Sequence, residues 1–252
     1  MVNRTDYIAS FAKGLQVIEA FRAETPRLTI TDAARATGLD RATARRCLLT
    51  LHETGYADYD GKYFQLTPRV LRLGMGTLAA LPLPQIVQPW LEQLSARTGQ
   101  SSSVSILDET EIVYLARSAT TRIMSIGLMP GSRLPAHCTS MGRVLLADLA
   151  PAQARALVER SDLAPRTVYS RTHPDDIMQE IAEAGRNGYA MIDQEVELGL
   201  RSLAVPLQNT HGRVVAALNI GIAASQDPTS SIIDRYLAPL QAVQSGLKRV
   251  LG

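Results

Sequence analysis

Residues 28–61 read LTITDAARATGLDRATARRCLLTLHETGYADYDG, and this stretch decides the fold of the first part of the chain. Helical spacing predicts a short helix over about 31–37 and a second helix that opens at Asp40 and ends near Gly55. Two short strands follow, separated by a turn at Asp60-Gly61. This order is typical of a winged helix-turn-helix, which places its second helix in the DNA major groove.

The second helix of this stretch is amphipathic. Ala44, Leu48 and Leu51 fall at i, i+4 and i+7 and predict a buried stripe, while arginines concentrate on the other side of its first half. Arginine suits bidentate contacts to guanine, so this side predicts a DNA-contacting surface. An ordinary solvated arginine-rich face is the alternative, and the preceding helix and the wing favour DNA binding. The candidate DNA-contacting residues are Thr31, Arg41, Ala42, Thr43, Arg45, Arg46 and Lys62.

Length and composition bound the class of protein. A chain of 252 residues favours two domains. Residues 1–75 hold eleven Lys/Arg against eight Asp/Glu, and the remainder holds fifteen against sixteen, so only the front is basic. The two cysteines form no disulfide framework, and neither a signal peptide nor a membrane-spanning run is present. We therefore expect a cytoplasmic protein that makes no membrane contact.

The remaining sequence alternates between helical and strand patterns, which predicts an α+β fold. We divide the chain into a DNA-binding domain at 1–68, a linker helix at 69–84 and a second domain at 85–252. The linker is apolar on more than one side and is interpreted as a subunit contact, with packing on its own wing as the alternative. In the second domain we predict helices at about 86–98, 139–149, 151–160, 174–187 and 231–251, and strands at 103–107, 111–117, 122–128, 189–194, 201–207 and 214–222.

The sequence offers little for catalysis. It lacks a GxSxG elbow, an HExxH motif, a P-loop and a Rossmann fingerprint, and its four histidines have no ligand spacing. His137 and Cys138 are adjacent, so on an extended segment they point to opposite sides and make a poor catalytic pair. We therefore predict no enzyme, no metal and no cofactor.

Two stretches concentrate polar residues among apolar ones, at 135–142 (PAHCTSMG) and 193–202 (DQEVELGLRS). Thr139 or Ser140 can cap the helix that follows, and the N–H groups of a helix start can bind a carboxylate. Helix capping plus loop polarity is the plain alternative. Taken together, the two stretches favour a ligand pocket, to which neighbouring strands add Ser202 and Asn219.

The order of these motifs resembles the IclR family of bacterial transcription regulators. The matching pieces are SFAKGLQVIEAF, LTITDAARATGLDRATARRCLLTLHETGY, RLPAHCTSMGRVLLA and DQEVELGLRSLAVPL, which together span nearly the whole chain. The run RIMS at 122–125, followed by GSRLPAHCTSMGRVLLA, is similar to the branch that regulates protocatechuate, β-ketoadipate and p-hydroxybenzoate catabolism. The resemblance implies a C-terminal GAF-like effector domain with a central antiparallel sheet, and a homodimer or homotetramer on double-stranded operator DNA.

The resemblance also implies p-hydroxybenzoate, protocatechuate or β-ketoadipate as effector, with activation favoured over repression. Among these we hypothesise an aromatic carboxylate, such as a hydroxybenzoate or protocatechuate. Met141 stands where relatives with very small effectors often have a small residue, which argues against a glyoxylate-like ligand. The predicted effector-binding residues are Arg122, Met124, Arg133, His137, Thr139, Ser140, Met141, Asp193, Ser202 and Asn219, with Gly221 as a further candidate. Two alternatives remain open: a repressor that answers a non-aromatic small carboxylate, and an enzyme with a DNA-binding-like dimerisation domain.

Overall fold

The computed structural model describes residues 7–22, 25–73, 82–120 and 127–251. The chain divides into two compact units, Met1–Leu81 and Pro82–Gly252. The predicted linker helix at 69–84 includes residues 74–81, which lie outside the described part of the chain.

The described residues of the first unit include three helices and a small sheet, and they confirm the winged helix-turn-helix prediction. The helices are α1 (Ala9–Glu19), α2 (Ile30–Thr37) and α3 (Arg41–Glu53), and the strands are β1 (Arg27–Leu28), β2 (Ala57–Tyr59) and β3 (Phe64–Leu66), paired antiparallel in the order β1-β3-β2. A 3-10 turn, Pro68–Val70, follows the wing. The pairing of β1 with β3 was not predicted, because two residues carry no readable alternation.

Local sequence signals explain why α2 and α3 begin and end where they do. Thr29 and Asp32 form a capping box at the start of α2, and Gly38 ends it with a φ of 70°, which glycine adopts without strain. Asp40 caps α3 by accepting the backbone N–H of Thr43 at 2.9 Å. The predicted stripe of α3 is buried: Ala44 and Leu48 are fully covered and pack with Phe64 of the wing.

The second unit is built on one antiparallel sheet. Its strands are β4 (Ser101–Asp108), β5 (Glu111–Ser118), β6 (Arg133–Pro135), β7 (Ala190–Asp193), β8 (Leu200–Gln208) and β9 (Val214–Ala223), and their spatial order is β6-β5-β4-β9-β8-β7. The α+β prediction with a central antiparallel sheet is therefore confirmed. Strand β6 was not predicted. Of the strand predicted at 122–128, residues 122–126 lie outside the described residues, and 127–128 are not in a strand.

Helices cover both faces of this sheet. On the rear face lie α4 (Pro82–Thr98) and α8 (Thr229–Leu247), and on the front face lie α5 (Ser140–Leu146), α6 (Pro151–Arg160) and α7 (Pro174–Asn187). Leu91 of α4 and Leu240 of α8 belong to the rear core, whereas Val144 of α5 and Ile177 of α7 belong to the front core. The apolar faces of α4, α5, α7 and α8 are thus buried against the sheet, and α6 packs on α7.

A bulge in β5 changes which residues face each side. Val104 of β4 pairs with Ala116, but the next residue, Ser105, pairs with Tyr114, so Leu115 is the extra residue. Ala116 consequently belongs to the rear core, and Tyr114 belongs to the front core. Beyond the bulge, Arg117 returns to the front face, the side on which α5 packs.

Candidate ligand pocket and nucleic-acid interface

Helix α3 presents one basic side to solvent. Arg41, Ala42, Arg45 and Arg46 are all exposed, while the opposite side lies in the core. Three guanidinium groups within two turns make this side a strong local positive surface. The predicted contact residues Thr31, at the start of α2, and Lys62, in the wing turn, are also exposed.

Thr43 differs from the other predicted DNA-contacting residues because it is buried, with 7% of its surface exposed. Its hydroxyl accepts a hydrogen bond from Arg46 Nη2 at 3.3 Å. Thr43 therefore helps to orient the exposed Arg46.

The wing turn is held rigidly around Lys62. Asp60 Oδ1 accepts the backbone N–H groups of Lys62 at 3.0 Å and Tyr63 at 2.8 Å, and its other oxygen pairs with Arg27. These N–H groups hold the pKa of Asp60 below its ordinary value. The turn keeps its shape at neutral pH and presents the Lys62 ammonium to solvent.

The second unit contains a pocket between the front face of the sheet and the start of α5. Its walls come from β4, β5, β8 and β9, from α5, and from the loops that follow β5 and β7. The space between the lining atoms, which includes open solvent at the mouth, is about 460 Å³. The lining residues are Ser101, Tyr114, Arg117, Leu128, Leu134, Thr139, Ser140, Met141, Val196, Leu200, Ser202, Asn219 and Gly221.

Strand register places the polar residues of the floor in two rows. Arg117 lies opposite Ser103, and Ser103 lies opposite Asn219. One row along, Ser101 lies opposite Gly221, which lies opposite Ser202. Directly opposed residues in an antiparallel sheet share a face. The register therefore gathers a cation, an amide and hydroxyl groups on one small area.

Arg117 supplies the positive charge of the pocket. Its Nη1 donates to Ser103 Oγ at 2.9 Å, and burial lowers the pKa of its guanidinium from the ordinary value. Among the described residues, no Asp or Glu oxygen lies within ion-pair distance of it. A half-buried charge without a counter-ion is costly, so this site favours an anionic occupant.

The start of α5 forms the roof of the pocket. Thr139 caps the helix by accepting the N–H of Gly142 at 3.1 Å, and Ser140 Oγ donates to Ser202 Oγ of the floor at 2.8 Å. Met141 Sδ accepts a hydrogen bond from Ser105 Oγ at 3.1 Å. The roof is thus tied to the floor by side chains on both sides of the cavity.

Glycine at position 142 is required for this arrangement. A Cβ at Gly142 would overlap the backbone of Ala136, so the segment before α5 lies directly on the helix. The close approach explains why the PAHCTSMG stretch must end in glycine.

Asn219 is the unsatisfied polar group of the floor. Its side chain is 8% exposed, and its Oδ1 has no hydrogen-bond partner among the described residues. Its cross-strand neighbours are Ser103, whose hydroxyl already accepts from Arg117, and apolar Ala204.

Five of the predicted effector residues line this pocket: Thr139, Ser140, Met141, Ser202 and Asn219. Gly221, the further candidate, lines it as well. Arg122 and Met124 lie outside the described residues.

The structure does not bring the other three predicted residues to the pocket. Arg133 is exposed and pairs with Asp108 and Glu111, at 2.7 Å in each case. Asp193 binds Arg201 at 2.6 Å, so it ties two strands together. His137 is buried away from the lining, and burial lowers its pKa to about 4, which leaves it uncharged at neutral pH.

Sequence reasoning missed Arg117 and Tyr114. Strict alternation along β5 assigns these two residues, three apart, to opposite faces. The bulge at Leu115 places both on the front face. Arg117 is the one arginine in a largely apolar strand, and this could have marked it as functional. The bulge that turns its side chain to the front face has no marker in the sequence.

A buried ion network supports the pocket wall from behind. Arg143 of α5 is 1% exposed and pairs with Glu195 at 2.8 Å and Glu180 of α7 at 3.3 Å. Arg171 also binds Glu180, at 2.6 Å. Burial raises the pKa of Glu195 even though Arg143 opposes this. Since Val196 lines the pocket, the network fixes the loop after β7 relative to α5.

No helix in the described part of the chain is long and apolar enough to cross a bilayer. Nor do residues 7–22, 25–73, 82–120 and 127–251 contain a cluster of three or more His, Cys, Asp or Glu side chains suited to a metal ion.

Comparison with known families gives two matches. Residues 10–61 match the IclR helix-turn-helix domain, and residues 75–248 match the bacterial transcriptional regulator IclR C-terminal domain. The first match includes α2, α3 and the β2 strand of the wing, and the second includes every residue of the pocket.

Individual relatives are similar over nearly the full length. The Pca regulon regulatory protein of Pseudomonas putida is 40% identical over 96% of this chain and 84% of its own. The p-hydroxybenzoate hydroxylase transcriptional activator of Acinetobacter baylyi is 36% identical over 99% of this chain and 94% of its own. A solved double mutant of the PobR inducer-binding domain from Acinetobacter, in complex with 3-hydroxybenzoic acid, is 31% identical, with a TM-score of 0.63 over 67% of this chain and 98% of that one.

Proposed function

Since this chain belongs to the IclR family of bacterial transcriptional regulators, we propose that it controls transcription of aromatic-acid catabolism genes. Helix α3 and the wing bind double-stranded operator DNA, and the pocket of the second unit binds an aromatic carboxylate as effector. The observation that carries the effector assignment is Arg117, a half-buried cation without a carboxylate partner among the described residues.

The remaining lining of the pocket suits a small aromatic ring. Tyr114, Leu134 and Val196 are almost fully buried and apolar over most of their surface, and Met141 contributes a polarisable thioether beside them. A planar ring carrying one carboxylate matches a site with apolar walls and, among its described lining residues, one cation. The solved PobR inducer-binding domain in complex with 3-hydroxybenzoic acid supports the same class of effector.

The direction of control that we propose is activation. The relative from Acinetobacter baylyi is named an activator, and it aligns with almost the whole of this chain. The proposed role is regulatory rather than catalytic, which the names of the relatives also support.

We also propose that the chain acts as a homodimer or homotetramer. An exposed apolar stripe runs along α1. It consists of Ile8 at the N-cap and of Phe11 and Leu15 at i+3 and i+7, which are 67%, 66% and 41% exposed. Apolar side chains exposed together favour a protein interface. Light scattering coupled to size exclusion tests this, and a strictly monomeric particle at micromolar concentration would contradict it.

A ligand panel on the purified full-length chain tests the effector assignment. Isothermal titration with benzoate, 3- and 4-hydroxybenzoate, protocatechuate, β-ketoadipate, glyoxylate and pyruvate compares aromatic with non-aromatic carboxylates. We expect an aromatic acid to bind, and Arg117→Met to weaken it roughly 30-fold or more, since removing one partner of a buried charge pair costs about 2 kcal/mol or more.

The matched control is Arg133→Met, which removes an exposed cation bound to Asp108 and Glu111 outside the pocket. It should leave effector affinity within about twofold. Binding of only glyoxylate, pyruvate or β-ketoadipate would replace the aromatic assignment by the non-aromatic alternative. Equal affinity of Arg117→Met and wild type would show that Arg117 does not hold the effector carboxylate.

A further inference from the structure

We propose that Asn219 selects effectors that carry a hydroxyl group, so that hydroxylated aromatic acids bind far better than the same acids with a methyl in that place. This inference rests on the proposed function, because it assumes an aromatic carboxylate anchored at Arg117. It adds a second, separate point of recognition within the pocket.

The unpaired amide oxygen of Asn219 carries the inference. The side chain is more than nine-tenths buried, lines the pocket, and leaves Oδ1 without a partner among the described residues. Buried polar atoms in folded proteins almost always have hydrogen-bond partners, so an unpaired one at a ligand site indicates that the ligand supplies the partner. If Asn219 only filled space in an apolar wall, an aliphatic side chain would do so without leaving a polar atom unpaired.

The sheet register places Asn219 on the same face of the sheet as Arg117. Arg117, Ser103 and Asn219 stand side by side on three neighbouring strands. The Arg117 guanidinium reaches Ser103 Oγ on the middle strand at 2.9 Å. Asn219 lies about one further strand spacing, roughly 4.8 Å, along the same face. A hydroxyl on a ring whose carboxylate binds this guanidinium can therefore approach the Asn219 amide.

A hydroxyl is the group that fits this amide best. A hydroxyl both donates and accepts, so it can pair with the amide oxygen and equally with the amide nitrogen. A methyl group has nearly the same size and can do neither. A methylated acid in the pocket would leave the buried Oδ1 beside an apolar group and still without a partner. Selectivity therefore comes from the cost of leaving Asn219 unpaired as well as from the bond gained.

The test compares matched pairs of ligands on matched variants. Isothermal titration measures 3- and 4-hydroxybenzoate against 3- and 4-methylbenzoate for wild type, Asn219→Leu and Asn219→Ala. In wild type we expect one hydroxy acid to bind on the order of 10- to 100-fold tighter than its methyl counterpart. In both variants the ratio should fall to within about threefold, because the methyl acid gains affinity and the hydroxy acid loses it.

Two controls make each outcome readable. Asn187→Leu places the same substitution at an exposed site at the end of α7 and should keep the wild-type ratio. The smaller Asn219→Ala covers the case in which leucine at this position prevents folding, and the fluorescence of Trp90, the single tryptophan, reports whether the second unit is folded.

The titrations distinguish a wrong role for Asn219 from a wrong effector class. If aromatic acids bind but both Asn219 variants keep the hydroxyl preference, then another group, such as the Tyr114 hydroxyl, reads the effector and the inference is overturned. The inference is likewise overturned if wild type binds the hydroxy and methyl acids equally well. If folded wild type binds none of the four acids, the proposed function itself fails and the inference falls with it.

Discussion

Replacing Arg143 by methionine removes a positive charge from the interior of the second unit while its acidic partners stay in place. In the native protein Nη2 lies 2.8 Å from Glu195 Oε2, Nη1 lies 3.3 Å from Glu180 Oε2, and Nε donates to the carbonyl oxygen of His137 at 3.1 Å. After the substitution, the two carboxylates share only the exposed guanidinium of Arg171.

The size of the effect follows from burial. Breaking a buried ion pair by removing one partner costs about 3–5 kcal/mol, because the other charge is left without compensation. For a cooperative unit of the size of Pro82–Gly252, each kcal/mol lowers the melting temperature by about 2–4 °C. We therefore expect Arg143→Met to lower the melting temperature of this unit by roughly 6–20 °C at neutral pH.

Acid should relieve part of this loss. Burial already raises the pKa of Glu195 above its ordinary value, and removing Arg143 takes away an attraction that opposes the rise. A carboxyl whose pKa is higher in the folded than in the unfolded chain destabilises the fold above that pKa, and the penalty fades as the pH falls through it. The gap between variant and wild type should therefore be smaller at pH 5 than at pH 7.

A double variant separates charge imbalance from lost packing. Arg143→Met with Glu195→Leu removes one charge of each sign and leaves Arg171 paired with Glu180 at 2.6 Å. Because apolar side chains of similar volume often replace a buried ion pair without loss, the double variant should recover most of the stability. About 1 kcal/mol should remain lost, since the N–H of Arg171 no longer finds the Glu195 carboxylate.

Thermal unfolding followed by tryptophan fluorescence is the assay. Trp90 is the single tryptophan of the chain and packs against the rear core, so it reports on the second unit alone. If Arg143→Met melts within 2 °C of wild type, the Arg143 ion pairs do not stabilise this unit. If the double variant is no more stable than the single one, the loss does not come from an unpaired buried carboxylate.

Three further predictions rest on the same structure. Gly142→Ala should destabilise the second unit by about 1–3 kcal/mol or more in denaturant unfolding, since its Cβ would overlap the Ala136 backbone. Gly185→Ala, whose Cβ would meet Ala147 at an ordinary 3.6 Å, should stabilise the unit by about 0.5–1 kcal/mol. A Gly142→Ala variant more stable than Gly185→Ala would contradict the packing described. The pKa of His137 is about 4 in the folded chain against an ordinary 6.5, so as the pH drops from 6.5 towards 4 the unfolded chain takes up a proton first and stability should fall. Between pH 7 and pH 5 the melting temperature of His137→Asn should therefore fall less than that of wild type. An equal fall would show that His137 does not titrate in this way. Arg46→Ala should weaken binding to a DNA duplex selected in vitro by about 1–3 kcal/mol at fixed salt, measured by fluorescence anisotropy, and leave effector affinity unchanged; the exposed Arg186→Ala in the second unit serves as control, and undiminished DNA affinity of Arg46→Ala would remove α3 from the interface.

The parts of the fold that followed from the sequence are those with local causes. The capping residue Asp40, the apolar stripe of α3 and Gly38 each act within a few residues, so the helix-turn-helix could be predicted from spacing and composition. The longer strands of the second unit were also readable, because eight to ten residues of β-branched and alternating sequence leave a clear pattern. Strands β1 and β6, with two and three residues, leave none.

The parts of the site that could not be predicted depend on which side chains meet across the sheet. Nothing in the sequence distinguishes Arg133 from Arg117. In the structure, Arg133 forms ion pairs with two carboxylates of the β4–β5 hairpin, whereas the guanidinium of Arg117 donates a hydrogen bond to Ser103. His137 sits in a polar motif, but burial rather than ligand contact determines its state. A one-residue bulge decided the direction of Arg117, and pairing register of that kind is a long-range property.

Reporter transcription measures directly whether an aromatic acid held by Arg117 controls transcription through helix α3. The DNA site selected in vitro by the purified protein is placed upstream of a weak promoter, and output is measured with and without hydroxybenzoate for wild type, Arg46→Ala and Arg117→Met. We predict that the acid raises transcription with wild type, that Arg46→Ala abolishes control altogether, and that Arg117→Met still binds the site but no longer responds to the acid. Output that is indifferent to every aromatic acid, or an Arg117→Met response at the same concentration as wild type, would contradict the account.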